Sequence, residues 1–322
     1  MKILLTGCAG FIGARVGALL LERGDEVVGV DNLNDYYDVR LKQHRLAGLT
    51  VHGAFSFQQV DVEDRKALAE LFAAHRFDAV INLAARAGVR ASIQNPRIYL
   101  TTNTQGTLNL LELMAEHEVS RFVMASTSSL YAGSEMPFVE TADVTSPISP
   151  YAATKLAAEA LAKTWHHLHG INTAILRYFT VYGPAGRPDM SPFRFIEWIR
   201  RGQPVRLYGD GTQTRDFTFI DDIAHGTLAS LGIKGFEVIN LGGGKRPLAM
   251  TEMIAAIEES TGRRANIDHM PANPADMTDT AADIAKAGKL LGWVPSVDPQ
   301  EGFRRTAVWH MQNAEWLDKI AL

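Results

Sequence analysis

The chain has 322 residues, of which 46% are hydrophobic and 21% are charged, and its formal net charge is −4. These values are typical of a globular protein and disfavour nucleic acid as a partner, because binding its phosphates calls for a basic surface. Cys8 is the single cysteine, so no disulfide can form within the chain, as is usual in a reducing compartment. The sequence contains no run of about 18 apolar residues, the length that spans a membrane. We therefore expect a cytoplasmic protein that binds neither nucleic acid nor membrane.

Apolar runs and helical patterns alternate through the first half of the chain. Each run is short enough for a buried strand, and each helical pattern repeats its apolar residues with a period near 3.6. Such alternation predicts βαβ units and therefore an α/β fold with a doubly wound, Rossmann-like parallel sheet. The predicted strands are Lys2–Thr6, Glu26–Val30, Asp78–Leu83, Arg121–Ala125 and Asn172–Arg177. The predicted helices are Phe11–Arg23, Asp64–Ala74, Pro96–His117 and Pro150–His169.

The rhythm changes after Tyr178, where loops rich in glycine and proline begin with Gly183–Pro188. Short strands and helices then follow in mixed order. We therefore predict a first domain over residues 1–178, to which residues of about 216–235 return. Residues 179–322 are expected to form mainly a smaller, mixed α/β domain that interleaves with the first.

A glycine-rich segment, Thr6–Gly13, joins the first predicted strand to the first predicted helix with the spacing G-x-x-G-x-x-G. Glycine lets the backbone turn tightly and approach a pyrophosphate, while the helix N-terminus offers N–H groups and the positive end of its dipole. A tight turn without a ligand is the alternative. Asp31 ends the second strand, 18 residues after Gly13, where a carboxylate can accept hydrogen bonds from an adenosine ribose. A carboxylate repels a 2′-phosphate, so the pattern favours NAD over NADP as cofactor.

Two later strand ends supply further candidates for the cofactor site. Asp61 and Val62 follow a further strand, counted as the third, which lies between Glu26–Val30 and Asp78–Leu83. They would face the adenine edge, although Asp61 could equally cap the next helix. Leu83, Ala84 and Ala85 end the fourth strand, and small side chains there would let the backbone lie against the cofactor.

Tyr151 and Lys155 stand four residues apart, just after Pro150, which suits the first turn of a helix. Residues at this spacing share a helix face, so the Lys155 cation could stabilise a Tyr151 phenolate and lower its pKa from about 10. Tyr151 is therefore a candidate base, and an exposed Tyr–Lys pair is the alternative. Ser126–Ser129, after the fifth strand, would place hydroxyls at the ligand edge of the sheet, or else form a local turn.

These motifs occur in an order that is found in one enzyme superfamily. Taken together, T-G-x-x-G-F-I-G, N-L-A-A, the Ser/Thr cluster and Y-x-x-x-K resemble the extended short-chain dehydrogenases/reductases, which include the NAD-dependent sugar epimerases and dehydratases. The resemblance covers essentially the whole chain. Within the superfamily, the chain is most similar to the UDP-glucuronate 4-epimerases. Four segments carry this closer resemblance: Asp31–Asp38, Ala87–Arg90, Arg177–Met190 and Tyr208–Phe217.

The resemblance implies an activity and a cofactor. Tyr151 would take the proton from the sugar 4-hydroxyl while C4 passes a hydride to tightly bound NAD. The 4-keto sugar would turn, and the hydride would return to its opposite face, so that UDP-glucuronate and UDP-galacturonate interconvert. The family also implies a homodimer, with the helices over 103–117 and 151–169 at its interface.

The resemblance also implies three sets of site residues. The catalytic set is Tyr151, Lys155, Thr127 and Ser128. The NAD contacts are Gly7, Gly10, Phe11, Ile12, Asp31, Asn32, Asp61, Val62, Leu83, Ala84, Ala85, Ser126, Tyr151, Lys155 and Tyr178. The contacts to the UDP-sugar are Arg90, Thr127, Ser128, Ser129, Tyr151, Phe179, Thr180, Arg187 and Arg215.

The sugar carboxylate poses a further problem, because a 4-keto uronate is a β-keto acid and readily loses carbon dioxide. Arg187 offers a fork that suits this carboxylate. Related decarboxylases carry a glutamate where this chain has Ser129, and 4,6-dehydratases carry an Asp–Glu pair in place of Ser128 and Ser129, so both reactions are disfavoured. Three alternatives remain: a UDP-glucose or UDP-N-acetylglucosamine 4-epimerase, a UDP-glucuronate decarboxylase, and an inactive NAD-binding protein.

The chain departs from these epimerases at three places, one of which is Ala132–Gly133, where the usual residue after Tyr131 is a single glycine. Arg86 stands where they often have glutamine, and Asn273 stands where many relatives place arginine or glutamine. Two other patterns resemble metal ligands but lack further partners nearby: His166 with His169, and Asp221–Asp222. We expect no metal site, and we expect the aspartates to cap a helix that begins at Ile223.

Overall fold

The computed structural model describes residues 1–271 and 277–322. None of the helices in these two ranges is long and apolar enough to cross a membrane. The strands, in chain order, are β1 (Lys2–Thr6), β2 (Glu26–Val30), β3 (Phe55–Gln58), β4 (Ala79–Asn82), β5 (Arg121–Thr127), β6 (Asn172–Tyr178), β7 (Thr180–Tyr182), β8 (Pro204–Tyr208), β9 (Thr214–Arg215), β10 (Phe217–Phe219), β11 (Phe236–Leu241), β12 (Leu248–Ala249) and β13 (Asn266–Met270). The α-helices are α1 (Phe11–Glu22), α2 (Val39–Thr50), α3 (Arg65–Ala74), α4 (Val89–Gln94), α5 (Pro96–Tyr99), α6 (Gly106–Glu116), α7 (Pro150–His169), α8 (Ser191–Arg201), α9 (Ile220–Ala229), α10 (Met250–Thr261), α11 (Ala285–Leu291), α12 (Pro299–Gln312) and α13 (Ala314–Leu317).

Seven of these strands form one parallel sheet in the order β3-β2-β1-β4-β5-β6-β11. Successive side chains of a strand face opposite layers, because the side-chain period of a strand is two. Ile3 and Leu5 belong to the core beneath α1, α2, α9 and α11, whereas Leu4 belongs to the core beneath α3, α6 and α7. Helices thus cover both faces, and the predicted doubly wound α/β fold is confirmed.

The chain after β6 alternates between this sheet and a second, smaller unit. Helix α9 packs against α1, and β11 completes the sheet beside β6. Helices α8, α10 and α12 surround a separate core with short paired strands, in which β7 pairs with β10, β8 with β13 and β9 with β12. The chain therefore leaves the sheet after β6, returns to it from α9 to β11, and leaves it again.

The segment predicted as one helix over Pro96–His117 is interrupted. Helix α5 leads into a π-helical turn over Leu100–Gln105, and α6 begins only at Gly106. The wider turn carries Asn103, whose side-chain amide bonds the N–H of Arg86 at 2.8 Å and its carbonyl at 3.0 Å. The predicted helical span is confirmed, but the π-helical turn within it was not predicted, because apolar periodicity does not reveal the extra residue that widens a turn.

Helix α2 was not predicted from the sequence. Two of its buried positions carry cations, Lys42 and Arg45, so the apolar stripe that would mark a helix is weak. Arg45 donates to the carbonyl oxygens of Ala185 at 2.8 Å and Gly186 at 2.7 Å. The helix thus joins the first part of the chain to the loop after β7.

The helix predicted to begin at Ile223 begins three residues earlier, at Ile220. Asp222 therefore lies inside its first turn and does not cap it. Its carboxylate instead accepts the N–H groups of Ser296 at 2.9 Å and Val297 at 3.0 Å. A carboxylate near a helix N-terminus is also favoured by the helix dipole.

The turn between β1 and α1 makes Gly7 sensitive to substitution. Gly7 has a φ of +68°, and a Cβ on it would lie 2.7 Å from the backbone nitrogen of Ala84. We expect Gly7→Ala to lower the free energy of unfolding by roughly 2–5 kcal/mol, about 1–2 from left-handed strain and about 1–3 from the forced contact. Urea denaturation measures the loss. Gly24→Ala is the control, because Gly24 has a φ of +87° with nothing within 4 Å of the added carbon. Equal losses in the two variants would contradict the clash.

Candidate active site

The carboxyl ends of the sheet strands open into a cavity of about 470 Å³. Open parallel sheets usually bind ligands at this edge, and the volume is typical of a small-molecule site. All the predicted NAD contacts line the cavity: Gly7, Gly10, Phe11, Ile12, Asp31, Asn32, Asp61, Val62, Leu83, Ala84, Ala85, Ser126, Tyr151, Lys155 and Tyr178. All but one of the predicted substrate contacts line it as well: Thr127, Ser128, Ser129, Tyr151, Phe179, Thr180, Arg187 and Arg215.

The glycine segment forms a tight turn that opens helix α1. Gly10 donates its N–H to the carbonyl oxygen of Gly7 at 2.9 Å, and a Cβ on Gly13 would lie 2.0 Å from that oxygen. No side chain caps α1, and the N–H groups of Phe11 and Ile12 have no acceptor in the described part of the chain. Such N–H groups, at the positive end of the helix dipole, suit a phosphate. The turn therefore fits the diphosphate of a dinucleotide, for which any larger side chain would leave no room.

Thr6, which was not among the predicted site residues, joins the ends of β1 and β4. Its hydroxyl donates to Oδ1 of Asn82 at 2.7 Å and accepts the N–H groups of Leu83 and Ala84, each at 3.1 Å. These bonds hold the backbone after β4 against the glycine turn. The position of Thr6 directly before the first glycine was the signal that could have identified it.

Asp31 follows β2 and is buried. Its Oδ1 accepts the N–H of Leu33 at 2.8 Å, and Nζ of Lys42 lies 3.6 Å from the carboxylate. Burial lowers the pKa of Lys42, and the cations Arg86 and Arg45 lower it further, against the opposing charge of Asp31. A buried cation therefore stands beside the predicted ribose carboxylate, and it was missed because α2 was not predicted.

Of the two interpretations left open for Asp61, the helix cap is wrong. Asp64 caps α3 by accepting the N–H of Ala67 at 3.0 Å. The Asp61 carboxylate instead accepts Nδ2 of Asn32 at 2.6 Å and the N–H of Glu63 at 2.9 Å. Asp61 thus holds Asn32 at the cavity wall.

Helix α7 begins at Pro150, as predicted, and carries Tyr151 in its first turn, with Ser149 as the cap. Tyr151 is buried and lines the same cavity as Thr127, which lies at the end of β5. Burial raises the pKa of Tyr151, whereas Thr127 and the positive charge of Arg187 lower it. The phenol is therefore protonated near neutral pH, although Thr127 and Arg187 reduce the free energy needed to ionise it.

Lys155 lies one turn further along the same face of α7. Its buried Nζ donates to the carbonyl oxygen of Ala125 at 2.9 Å. Burial lowers the pKa of Lys155 to about 8, against the opposing charge of Glu159. Lys155 thus ties α7 to β5, and its stabilisation of a Tyr151 phenolate remains a prediction.

Glu159, one turn beyond Lys155, forms a buried ion pair with Arg177 of β6. Arg177 donates Nη2 and Nε to the carboxylate at 2.7 Å and 3.1 Å, and Ser126 donates its hydroxyl to it. The hydroxyl of Ser126 is therefore directed towards α7. Glu159 was not predicted, although its spacing of four from Lys155 places it on the face that Tyr151 shares.

The hydroxyl cluster after β5 forms a local turn and also places hydroxyls in the cavity, so both interpretations of Ser126–Ser129 apply. Thr127 Oγ1 accepts the N–H of Ser129 at 3.1 Å, which is the local turn. The hydroxyls of Ser128, Ser129 and Thr180 line the cavity and have no hydrogen-bond partner among residues 1–271 and 277–322. Each can therefore donate to a ligand oxygen.

Arg187 already holds a carboxylate within the protein. Its Nε and Nη2 donate to Asp189 at 3.0 Å and 2.6 Å, and Nη2 also reaches the carbonyl oxygen of Ala87 at 3.2 Å. Tyr36 donates its hydroxyl to the same carbonyl at 2.8 Å. The fork that was expected to meet a ligand carboxylate is thus paired with Asp189, while Nη1 has no partner in the described residues.

Of the other two cations predicted to contact the UDP-sugar, Arg215 lines the cavity and Arg90 does not. The guanidinium of Arg90 lies 4.4 Å from the centre of the Tyr208 ring. Nη1 of Arg215 donates to the carbonyl oxygen of Thr214 at 2.8 Å. Asn273 lies outside the described residues.

Several cavity residues were not among the predicted contacts. Most of them come from loops without a regular apolar period, which gives sequence-based prediction little signal, whereas Lys42 lies on α2 and Thr102 in the π-helical turn. Of the residues with polar groups or sulfur, four stand inside segments that carry the closer family resemblance, which was the available signal: Asn34, Tyr36, Tyr37 and Met190. The additional residues with polar groups or sulfur are Asn34, Tyr36, Tyr37, Lys42, Arg86, Thr102, Met190, Met277 and Thr280.

Comparison with known proteins agrees with this arrangement. A family model described as the NAD dependent epimerase/dehydratase family matches residues 3–242. A UDP-glucuronate 4-epimerase from Thermodesulfobacterium geofontis is 53% identical over 317 residues, which cover 98% of this chain and 98% of the relative.

Two solved structures are also similar. One is the UDP-glucuronic acid 4-epimerase from Bacillus cereus in complex with UDP-glucuronic acid and NAD, with a TM-score of 0.91 and 37% identity over 97% of this chain and 99% of that one. The other is the UDP-glucose 4-epimerase from Thermotoga maritima with UDP-glucose, with a TM-score of 0.88 and 31% identity over 98% of this chain and 100% of that one. The family model, these relatives and the glycine turn that shares a cavity with Tyr151 show that the chain belongs to the NAD-dependent epimerase/dehydratase family.

Proposed function

We propose that this chain is a UDP-glucuronate 4-epimerase, which interconverts UDP-glucuronate and UDP-galacturonate through a 4-keto intermediate while NAD stays bound. One observation carries the proposal: Tyr151 and Thr127 line the same cavity as the glycine turn and Asp31. The 53% identity to a UDP-glucuronate 4-epimerase supports the choice of sugar.

Tyr151 acts in this mechanism as base and then as acid. Its phenolate takes the proton of the sugar 4-hydroxyl, and the phenol returns a proton to the same oxygen after C4 has changed configuration. Because burial raises the pKa of Tyr151, ionisation of the phenol depends on Thr127 and on the nearby charge of Arg187, both of which lower that pKa. The chemistry that NAD supplies when bound is reversible acceptance of a hydride from C4.

The uronate carboxylate must be held while C4 is a ketone, because a β-keto acid loses carbon dioxide once its carboxyl bond aligns with the carbonyl. Ser128, Ser129 and Thr180 offer neutral hydroxyl donors for that group, and Arg187 offers Nη1 while Asp189 fixes the rest of its fork. No carboxylate stands at positions 128 and 129 to assist elimination or decarboxylation. This set of donors therefore favours epimerisation.

A UDP-glucose 4-epimerase is the second candidate function. The observation that favours it is the Arg187–Asp189 pair, because two of the guanidinium donors are already bound to a carboxylate of the protein. Neutral hydroxyl donors also suit a neutral sugar. The two candidates share Tyr151 and NAD, so they differ only in what the cavity requires at C6 of the sugar.

We also propose how the chain is organised and where it works. Residues 1–178, with about 216–235, would hold NAD, and most of 179–322 would bind the nucleotide sugar, in a cytoplasmic homodimer built on α6 and α7. Leu108 and Leu156 on these helices are only half-buried, whereas Leu111 belongs to the core beneath the sheet and cannot contribute. A monomer in sedimentation velocity would contradict the dimer.

Incubation of the purified protein with UDP-glucuronate, followed by NMR, tests the reaction. We expect UDP-galacturonate as product, and we expect Tyr151→Phe to lower the rate by at least about 10²-fold, since it removes the acid–base group. Tyr182→Phe is the control, because the Tyr182 hydroxyl binds the carbonyl of Pro299 outside the cavity. A pentose product would mean decarboxylation, and an unchanged substrate would exclude this sugar.

Arg187→Met tests the assignment of the carboxylate. We expect kcat/KM for UDP-glucuronate to fall roughly 10- to 100-fold, as for the loss of a charged hydrogen bond, and to fall much less for UDP-glucose at alkaline pH. The activity of the variant should also rise at higher pH than in the wild type, because Arg187 no longer lowers the pKa of Tyr151. Arg206→Met, on the exposed side of β8, is the charge-matched control. Equal losses with both sugars would contradict the carboxylate contact and favour the neutral sugar.

A further inference from the structure

Arg86 occupies a defined place in the cavity wall, two residues after the segment that packs on the glycine turn. The Asn103 side chain bonds both its N–H and its carbonyl, so its backbone is held on each side. Its Nη1 donates to Oδ1 of Asn34 at 3.3 Å, and its guanidinium lies 5.6 Å from the centre of the Tyr36 ring. The side chain is therefore directed along the cavity wall that follows β2.

The charge of Arg86 is not balanced by the residues that the structure describes. None of their carboxylates lies within 4 Å of its guanidinium, and its buried Nε has no hydrogen-bond partner among them. Lys42 stands nearby and pairs with Asp31, and Arg86 is among the cations that lower the pKa of Lys42. Of these two cations only Lys42 has a carboxylate partner in the described residues, and a partly buried cation without one is costly unless an anion joins it.

The position of Arg86 indicates which anion this is. Through Asn34 it contacts the turn that begins at Asp31, where the adenosine ribose is expected. On its other side, Tyr36 bonds the same carbonyl as Arg187, the cation that acts on Tyr151. A dinucleotide that runs from Asp31 to Tyr151 has its diphosphate between these two ends, and Arg86 lines the same cavity with contacts to Asn34 and Tyr36 along that path.

We propose that Arg86 binds a phosphate of the resident dinucleotide and that Lys42 adds to the positive field there. Arg86 would then supplement the N–H groups of α1, so that the diphosphate is held from two parts of the chain. The inference rests on the cofactor part of the proposed function and is independent of the sugar. A fork that bonds a phosphate oxygen also satisfies the buried Nε.

Dinucleotide retention and affinity test this role without measuring turnover. In Arg86→Gln, NAD released by acid from the gel-filtered protein should fall well below one per chain, and the Kd of the stripped protein for NAD should rise roughly tenfold to hundredfold, the loss expected for one charged hydrogen bond. Arg86→Lys should recover part of the affinity, since it keeps the charge without the fork. Arg97→Gln, an exposed position outside the cavity lining, is the charge-matched control.

Titration with UDP distinguishes the two diphosphates that the cavity would hold. We expect the Kd for UDP to be unchanged in Arg86→Gln, with an unfolding temperature like that of Arg97→Gln. A loss of UDP affinity with intact NAD retention would overturn the proposal, as would unchanged NAD affinity or an equal loss in the control. If epimerase activity is absent but NAD binding still depends on Arg86, the proposed reaction fails and this inference stands.

Discussion

Lys155 donates a hydrogen bond to the carbonyl of Ala125, and one helical turn later Glu159 accepts one from Ser126. Successive turns of α7 are thus bonded to successive residues of β5, so the helix cannot slide or rotate against the strand without breaking two buried polar contacts. Tyr151 lies one turn before this pair of contacts, and Thr127 lies one residue after it. That these two side chains line one cavity is therefore a consequence of the register between α7 and β5, and so is the position of the proposed acid–base group at the sheet edge.

The second constraint is electrostatic. Burial in and around the cavity makes an unpaired charge costly, and three buried or partly buried cations there have a carboxylate: Arg177 has Glu159, Arg187 has Asp189 and Lys42 has Asp31. The pairs differ in what they leave for a ligand. Arg187 keeps one donor and a field that reaches Tyr151, whereas Arg177 is fully engaged by Glu159 and Tyr131. A cavity lined in this way favours anions, as both proposed ligands are.

Regular patterns in the sequence predicted the structure correctly wherever the conformation depended on a single helix, strand or turn. The start of α7 at Pro150, the strands near the glycine turn and the doubly wound order all follow from period, capping and turn chemistry within a few residues. Sequence-based predictions missed helices and turns whose side chains bond a distant part of the chain. Helix α2 buries Lys42 and Arg45, which conceals its apolar face, and the π-helical turn before Gly106 carries Asn103, which bonds the backbone of Arg86.

The sequence by itself determined the fold class, the turn that fits a diphosphate and the four-residue spacing of Tyr151 and Lys155, because each depends on neighbours along the chain. Only the tertiary structure decided the partners of the buried charges. Thr6 meets Asn82, and Arg86 meets Asn34, across 76 and 52 residues of sequence. The sequence allowed Asp61 either to cap α3 or to face the cavity, and in the structure its carboxylate accepts a hydrogen bond from Asn32 instead of capping the helix. Such contacts depend on distances between separate strand ends, which exist only once the whole sheet has formed.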